Sequence, residues 1–181
     1  MQPVQLSTGR LIIVPLREDS ALQVLEFYKR NQGFFAPWTP EREEDFYTLE
    51  RQRERLAFEA REMENGTRIK FWFLRRDNGK LIGFVDFWDI IRGALQSCTL
   101  GYCLDHEENG NGYMSEALHV AIRHVLDEER LHRIEANIMP RNRRSLRLAR
   151  RLGFKREGMA RRYLKINGKW ENHVRMTLLN E

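Results

Sequence analysis

Residues Leu100 to Leu118 read LGYCLDHEENGNGYMSEAL. An apolar, strand-like run passes into a helix-like segment near Tyr113 through a turn holding Gly110 and Gly112, too tight for an ordinary connecting loop. That junction constrains the whole architecture. A strand, then a helix, then the strand-like HRIEANIM at His132 to Met139 form a crossover connection, and crossovers join parallel neighbours. The turn also lies at the carboxyl end of its strand, where open α/β sheets place ligands. The first N–H groups of a helix lack partners and carry the positive end of its dipole, so they suit an anion. Glycine adds no Cβ to hold a phosphate away from the backbone. The spacing is neither a Rossmann fingerprint nor a P-loop.

The other segments build a mixed sheet around this unit. RLIIVPL at Arg10 to Leu16 predicts a first strand, and Asp19 to Gln32 a helix with Asp19 or Ser20 as its N-cap. GFFAPWTP at Gly33 to Pro40 reads as an aromatic loop, and the charged stretch from Glu41 to Asn65 as one long helix. Two strands flank the Asn78-Gly79 pair, a strong hairpin signal. Another strand runs from Gln96 to Leu104 and a helix from Tyr113 to Glu129. A basic helix spans Asn142 to Leu152, and two strands meet at Asn167-Gly168. The fold expected is mixed α/β (α+β), a single domain over residues 1–181. Its central sheet is mostly antiparallel, with one parallel strand pair, and is flanked by helices.

The charge is uneven. Residues 1–90 carry fourteen Lys and Arg against fifteen Asp and Glu; residues 91–181 carry seventeen against eleven. The excess gathers between Arg141 and Lys165, where Glu157 is the one acid, and such a surface attracts a phosphorylated cofactor or RNA. Cys98 and Cys103 stand too close on one strand for an unstrained bridge and lack CxxC spacing. His106, His119 and His124 have no HExxH pattern, so no metal is expected. The amino terminus has no export signal and no run spans a membrane, which points to the cytoplasm.

Taken in order, LGYCLDHEENGNGYMSEAL, HRIEANIMPRNRRSLRLARRLGFKREG and YLKINGKWENHVRMTLL resemble the GNAT acetyltransferases, and within them the RimJ and RimL branch that acetylates protein amino termini. The likeness spans nearly the whole chain. It implies acetyl-coenzyme A as co-substrate, with Tyr102, Cys103 and Leu104 pairing with the pantetheine arm. Amides of Asn109, Gly110, Asn111, Gly112, Tyr113 and Met114 would hold the pyrophosphate. Asn142 matches a pantetheine-binding asparagine and Ser145 a serine near the sulfur; Ser145, through its hydroxyl or a bound water, is also the candidate catalytic acid for the departing thiolate. Arg147 is assigned to the coenzyme's 3′-phosphate on charge alone. Phe34, Phe35 and Trp38 are expected to line the acceptor pocket. Asn109 and Met114 depart from the family's usual Gln or Arg and small residue.

The activity implied is direct acetyl transfer, in a ternary complex, to the N-terminal α-amine of a protein such as an alanine of a ribosomal protein. Wider relatives keep a Glu and a Tyr where this chain has Asn137 and Ala149. Asp86, Asp89, Glu107 and Glu116 are then the remaining candidate bases. Two other readings stay open. The acidic run Glu41 to Asp45 could supply a cleft for a polyamine or aminoglycoside, and the basic segment could make the fold a scaffold for ribosome or RNA binding.

Overall fold

Eight strands pair into one sheet in a computed structural model that describes residues 4–181. They are β1 (Leu6–Ser7), β2 (Leu11–Val14), β3 (Ile69–Arg75), β4 (Leu81–Ile91), β5 (Ser97–Leu104), β6 (Arg133–Ile138), β7 (Lys155–Ile166) and β8 (Lys169–Leu179), and they lie in the order β1-β2-β3-β4-β5-β6-β8-β7. The two asparagine-glycine turns close the β3–β4 and β7–β8 hairpins as their chemistry demands. Every pairing is antiparallel except β5 with β6, the crossover pair. That parallel ladder is short. It joins Ser97 to Arg133, Cys98 to Ile134 and Thr99 to Glu135, after which the strands part. Leu100 to Leu104 therefore offer a strand edge with no partner on that side.

Four helices cover the two faces: α1 (Ala21–Phe35), α2 (Leu49–Glu64), α3 (Tyr113–Arg123) and α4 (Arg143–Arg151). Side chains alternate across a strand, so β3 sends Phe71 and Phe73 to one face and Trp72 to the other. On the first face Ala117, Leu118 and Ala121 of α3 and Leu146 and Ala149 of α4 pack against Phe71, Val85, Ile134 and Met176. The other face stacks Val24, Phe27 and Tyr28 of α1 and Leu56 of α2 on Trp72 and Phe84. Phe27 and Trp72 meet edge to face with centroids 5.8 Å apart.

Beside these rings lies a buried charge cluster. Lys70 Nζ donates to Glu59 Oε1 at 2.6 Å, and Arg68 grips Asp86 through Nε at 2.8 Å and Nη2 at 2.9 Å. Burial alone would push the Lys70 pKa down, but Glu59 and Asp86 reverse it, and the ammonium stays charged.

Four boundaries differ from the sequence expectation. The loop predicted from Gly33 is helical through Phe35, since Ala36 still donates to Gln32; Pro37, with no N–H to give, follows at once. The single helix predicted from Glu41 is broken. A 3-10 turn, Glu44–Tyr47, leads to Thr48 in an extended conformation, and the Thr48 hydroxyl caps α2 by accepting from Arg51 N. The helix expected to Glu129 ends at Arg123 and continues as a π-helical turn, His124–Glu128. The first strand is shorter than predicted, with β1 before it. No helix among the described residues is long and apolar enough to cross a membrane.

Removing one partner of a buried ion pair strands the other. Lys70→Ala is therefore expected to destabilise the fold by about 3–5 kcal/mol, read as a lowered urea midpoint.

Candidate active site

Where β5 leaves β6, the divergence opens a cleft of about 620 Å³. That volume suits a small-molecule site. Tyr102, Cys103 and Leu104 form its floor, and Asn109, Gly110, Gly112 and Met114 one wall. Asn142, Ser145 and Arg151 of the α4 region stand opposite, and Phe34, Phe35 and Trp38 close the end beside α1. Nearly all the residues singled out in the sequence thus meet around one space.

The glycine wall is built on a buried carboxylate. Asp105, fully buried, accepts from Arg30 Nε at 2.7 Å and Glu107 N at 3.2 Å, with Lys80 Nζ 3.7 Å away. Burial works against the charge, but the Arg30 hydrogen bond and the cap bond outweigh it, and the Asp105 pKa lies below the usual carboxylate range. A 3-10 turn, His106–Glu108, follows, and Asn109 Nδ2 ties back to the carbonyls of Asp105 and His106. Gly110 and Gly112 then take φ of +92° and +82°, the left-handed region that L side chains rarely adopt. Gly112 is the N-cap of α3 and supplies no side-chain cap, so the first N–H groups of that helix lack a side-chain acceptor.

Glu116, in the first turn of α3, is drawn outward. Arg10 reaches its carboxylate through Nε at 2.8 Å and Nη2 at 2.5 Å, and the Thr8 hydroxyl donates to it as well. Arg10 also donates to the Asn111 carbonyl at 2.9 Å and lies 4.4 Å over the Tyr113 ring. Asn111 and Tyr113 consequently do not line the cleft, and the Tyr113 side chain belongs to the core.

Across the cleft, Asn142 Oδ1 caps α4 by accepting from Ser145 N at 3.1 Å. The Ser145 hydroxyl lies 2.6 Å from that of Tyr102, whose phenol burial pushes up to about 12. Either hydroxyl can donate in this contact, and the Tyr102 hydroxyl also lies 3.4 Å from the Ser145 carbonyl, so the two form a short hydrogen-bonded pair at the cleft. Burial likewise raises the Cys103 thiol to about 11, so it stays protonated.

Several residues singled out in the sequence lie elsewhere. Arg147 is exposed and does not line the cleft; Arg141, Arg143, Arg144 and Arg151 do. At about 100° per residue, Arg147 faces away from the flank of α4 that carries Ser145, and only the helix orientation reveals this. None of the four candidate bases lines the cleft. Asp86 is forked by Arg68, Glu107 is paired with Lys80 at 2.9 Å, Glu116 with Arg10, and Asp89 is exposed on a bulge of β4. The acidic run Glu41 to Asp45 lies outside the lining too. Asn137 turns its Nδ2 toward Tyr163 Oη at 3.4 Å, and Ala149 is buried on the inner face of α4. Among the described residues no group of His, Cys, Asp and Glu could hold a metal.

One feature the sequence hid is a clasp over the cleft's end. Asn167 Nδ2, at the β7–β8 turn, donates to the Ala36 carbonyl at 2.6 Å. Arg141 donates to the Pro37 carbonyl at 2.9 Å, stacks 5.1 Å from the Trp38 ring and meets Glu171 at 3.5 Å.

This fold and cleft match a known family. Residues 10–155 fit the acetyltransferase (GNAT) domain, and the chain belongs to that family of N-acetyltransferases. It is 40% identical over 173 residues to the probable N-acetyltransferase YjcK of Bacillus subtilis, covering 95% of this chain and 96% of that one. It is 36% identical over 171 residues to the ribosomal protein uS5-alanine N-acetyltransferase of Escherichia coli, covering 94% and 88%. The crystal structure of the ribosomal-protein-S5-alanine acetyltransferase of Vibrio fischeri superposes with a TM-score of 0.94 at 31% identity, over 98% and 97% of the chains. That of Mycobacterium smegmatis RimJ in complex with CoA-disulfide shares the fold, with a TM-score of 0.90 at 24% identity over 98% and 88%.

The Asp105 anchor carries a pH signature. Its folded pKa lies below the unfolded value of about 3.9, so its contribution is complete above that value and is lost as pH falls through the folded one. Asp105→Asn should lower stability at pH 7 and flatten the acid limb below about pH 4, measured by urea unfolding across pH.

Proposed function

We propose that this cleft binds acetyl-coenzyme A and passes its acetyl group to the N-terminal α-amine of a protein in the cytoplasm, an alanine of a ribosomal protein being the favoured acceptor. The observation that carries the reading is the composition of the lining: four arginines, an uncapped helix start, an unpaired strand edge, and no Asp, Glu or His. Each suits part of the co-substrate. The α3 amides and Arg143, Arg144 and Arg151 fit its phosphates. The free edge of β5 fits the amides of the pantetheine arm, as an added strand would. The M. smegmatis neighbour with its bound coenzyme supports this use of the fold, and the E. coli and V. fischeri relatives support the acceptor.

The chemistry asks little of a base. The α-amine, with a pKa of about 7.7–8.0, is partly neutral at physiological pH, and its nitrogen attacks the thioester carbonyl directly. As the C–N bond forms and the C–S bond breaks, backbone N–H groups near Cys103 and Leu104 meet the developing oxyanion. The thiolate takes the proton of Ser145, the Tyr102 hydroxyl 2.6 Å away passes its own proton to the serine oxygen, and the proton released by the amine returns through water to the tyrosine. Phe34, Phe35 and Trp38 bound the acceptor side. A polyamine fits this lining poorly, because its cationic charge would face Arg141, Arg143 and Arg144 with no acid between them.

A lysine side chain, with a pKa of about 10.4, needs roughly 3 kcal/mol more than an α-amine to deprotonate. Mass spectrometry of a peptide with a free alanine terminus and an internal lysine should find acetyl on the alanine alone, and blocking the terminus should abolish transfer. Efficient turnover of lysine or spermidine would overturn the acceptor. Ser145→Ala should lower kcat by about 10²–10⁴ and leave the coenzyme Kd within a few-fold, with Tyr102→Phe following it to a smaller extent. Loss of affinity alone would make Ser145 a binding residue.

A further inference from the structure

The cationic excess of the carboxy-terminal half divides by position. Arg143, Arg144 and Arg151 line the cleft, and Arg141 belongs to the clasp. The rest have no such task. At about 100° per residue, Arg147 and Arg150 lie on the flank of α4 opposite Ser145 and Leu148. That flank is the exposed side of α4, turned away from the buried Leu146, Leu148 and Ala149.

The register puts more cations on the same side of the sheet. Val174 and Met176 belong to the core that α4 covers, so their cross-strand partners Met159 and Arg156 share that face. By alternation from Val174, Trp170 lies there too, with its partner Lys165. Trp170 is 57% exposed and Met159 41%. Among the described residues Arg147, Arg150, Arg156 and Lys165 form no ion pair, because the two acids on these strands are taken: Glu157 by Arg133 and Glu171 by Arg141. An edge strand would normally be blunted by charge, and this one is. Solubility alone, however, does not call for a large exposed indole among the cations.

We propose that the outer flank of α4 and the α4-side face of the β7–β8 edge form a binding surface for single-stranded or looped RNA. The unpaired guanidinium and ammonium groups neutralise phosphates, and Trp170 offers a platform on which an unpaired base stacks. A protein partner of acidic character would use the charges without the indole. The inference stands apart from the acceptor assignment, since none of these residues enters the cleft.

The test uses the full chain and a fluorescein-labelled single-stranded RNA of mixed sequence, about 20 nucleotides long, followed by anisotropy. Binding should weaken with salt, with a log–log slope of about −3 if some four phosphates are contacted. Arg150→Glu, Arg156→Glu and Lys165→Glu combined should weaken it by about 100-fold. Trp170→Ala should cost about tenfold and leave the salt slope unchanged. Urea unfolding midpoints close to that of the unsubstituted protein should report that each variant folds. Absence of RNA binding, displacement of the RNA by coenzyme A, or equal affinity for heparin with no effect of Trp170→Ala would overturn the proposal.

Discussion

The parting of β5 from β6 after only three paired residues on each strand is the constraint on which the rest of the molecule depends. A backbone edge left open inside a sheet has donors and acceptors that must be met by something other than the neighbouring strand. The same divergence makes room for α3 to begin at the mouth of the opening and for α4 to bring Ser145 against Tyr102 from the far side. Had the strands stayed paired to Leu104, the floor of the cleft would be an ordinary ladder.

Holding that mouth open falls to charges rather than to apolar packing. Asp105 is anchored by Arg30 and Lys80, and Glu116 is pulled outward by Arg10. Both carboxylates lie below their usual pKa range, so acidic side chains near an anion-seeking turn are neutralised by partners outside it. The positive end of α3 is thereby left uncompensated on its cleft side. A second group of buried charges, around Lys70, locks α2 to the sheet on the opposite face.

Much of this was legible because local rules and the global fold agree. Asn78-Gly79 and Asn167-Gly168 marked both hairpins, and the crossover from β5 through α3 to β6 fixed the parallel pair. The resemblance, carried by an ordered series of short motifs, groups Tyr102, Asn142 and Ser145, and all three line the cleft. Propensity misled where capping won: Gly33 sits inside α1, and Thr48 starts α2 within a charged run that reads as continuous helix. Arg147 lies outside the cleft lining, because charge says nothing of which way a helix turns its side chains. The bond from Asn167 to Ala36 joins residues 131 apart, and no local pattern announces such a contact.

That bond also completes a circuit. From α1 the chain packs onto β4, the sheet runs unbroken to the β7–β8 hairpin, and Asn167 returns to the end of α1. A second hydrogen bond, from the charged Arg141 guanidinium to the Pro37 carbonyl, closes it alongside the first. The end of the cleft beside α1 is thus bounded by side chains from the two halves of the chain, and its width is set by the packing of the whole sheet rather than by any one loop.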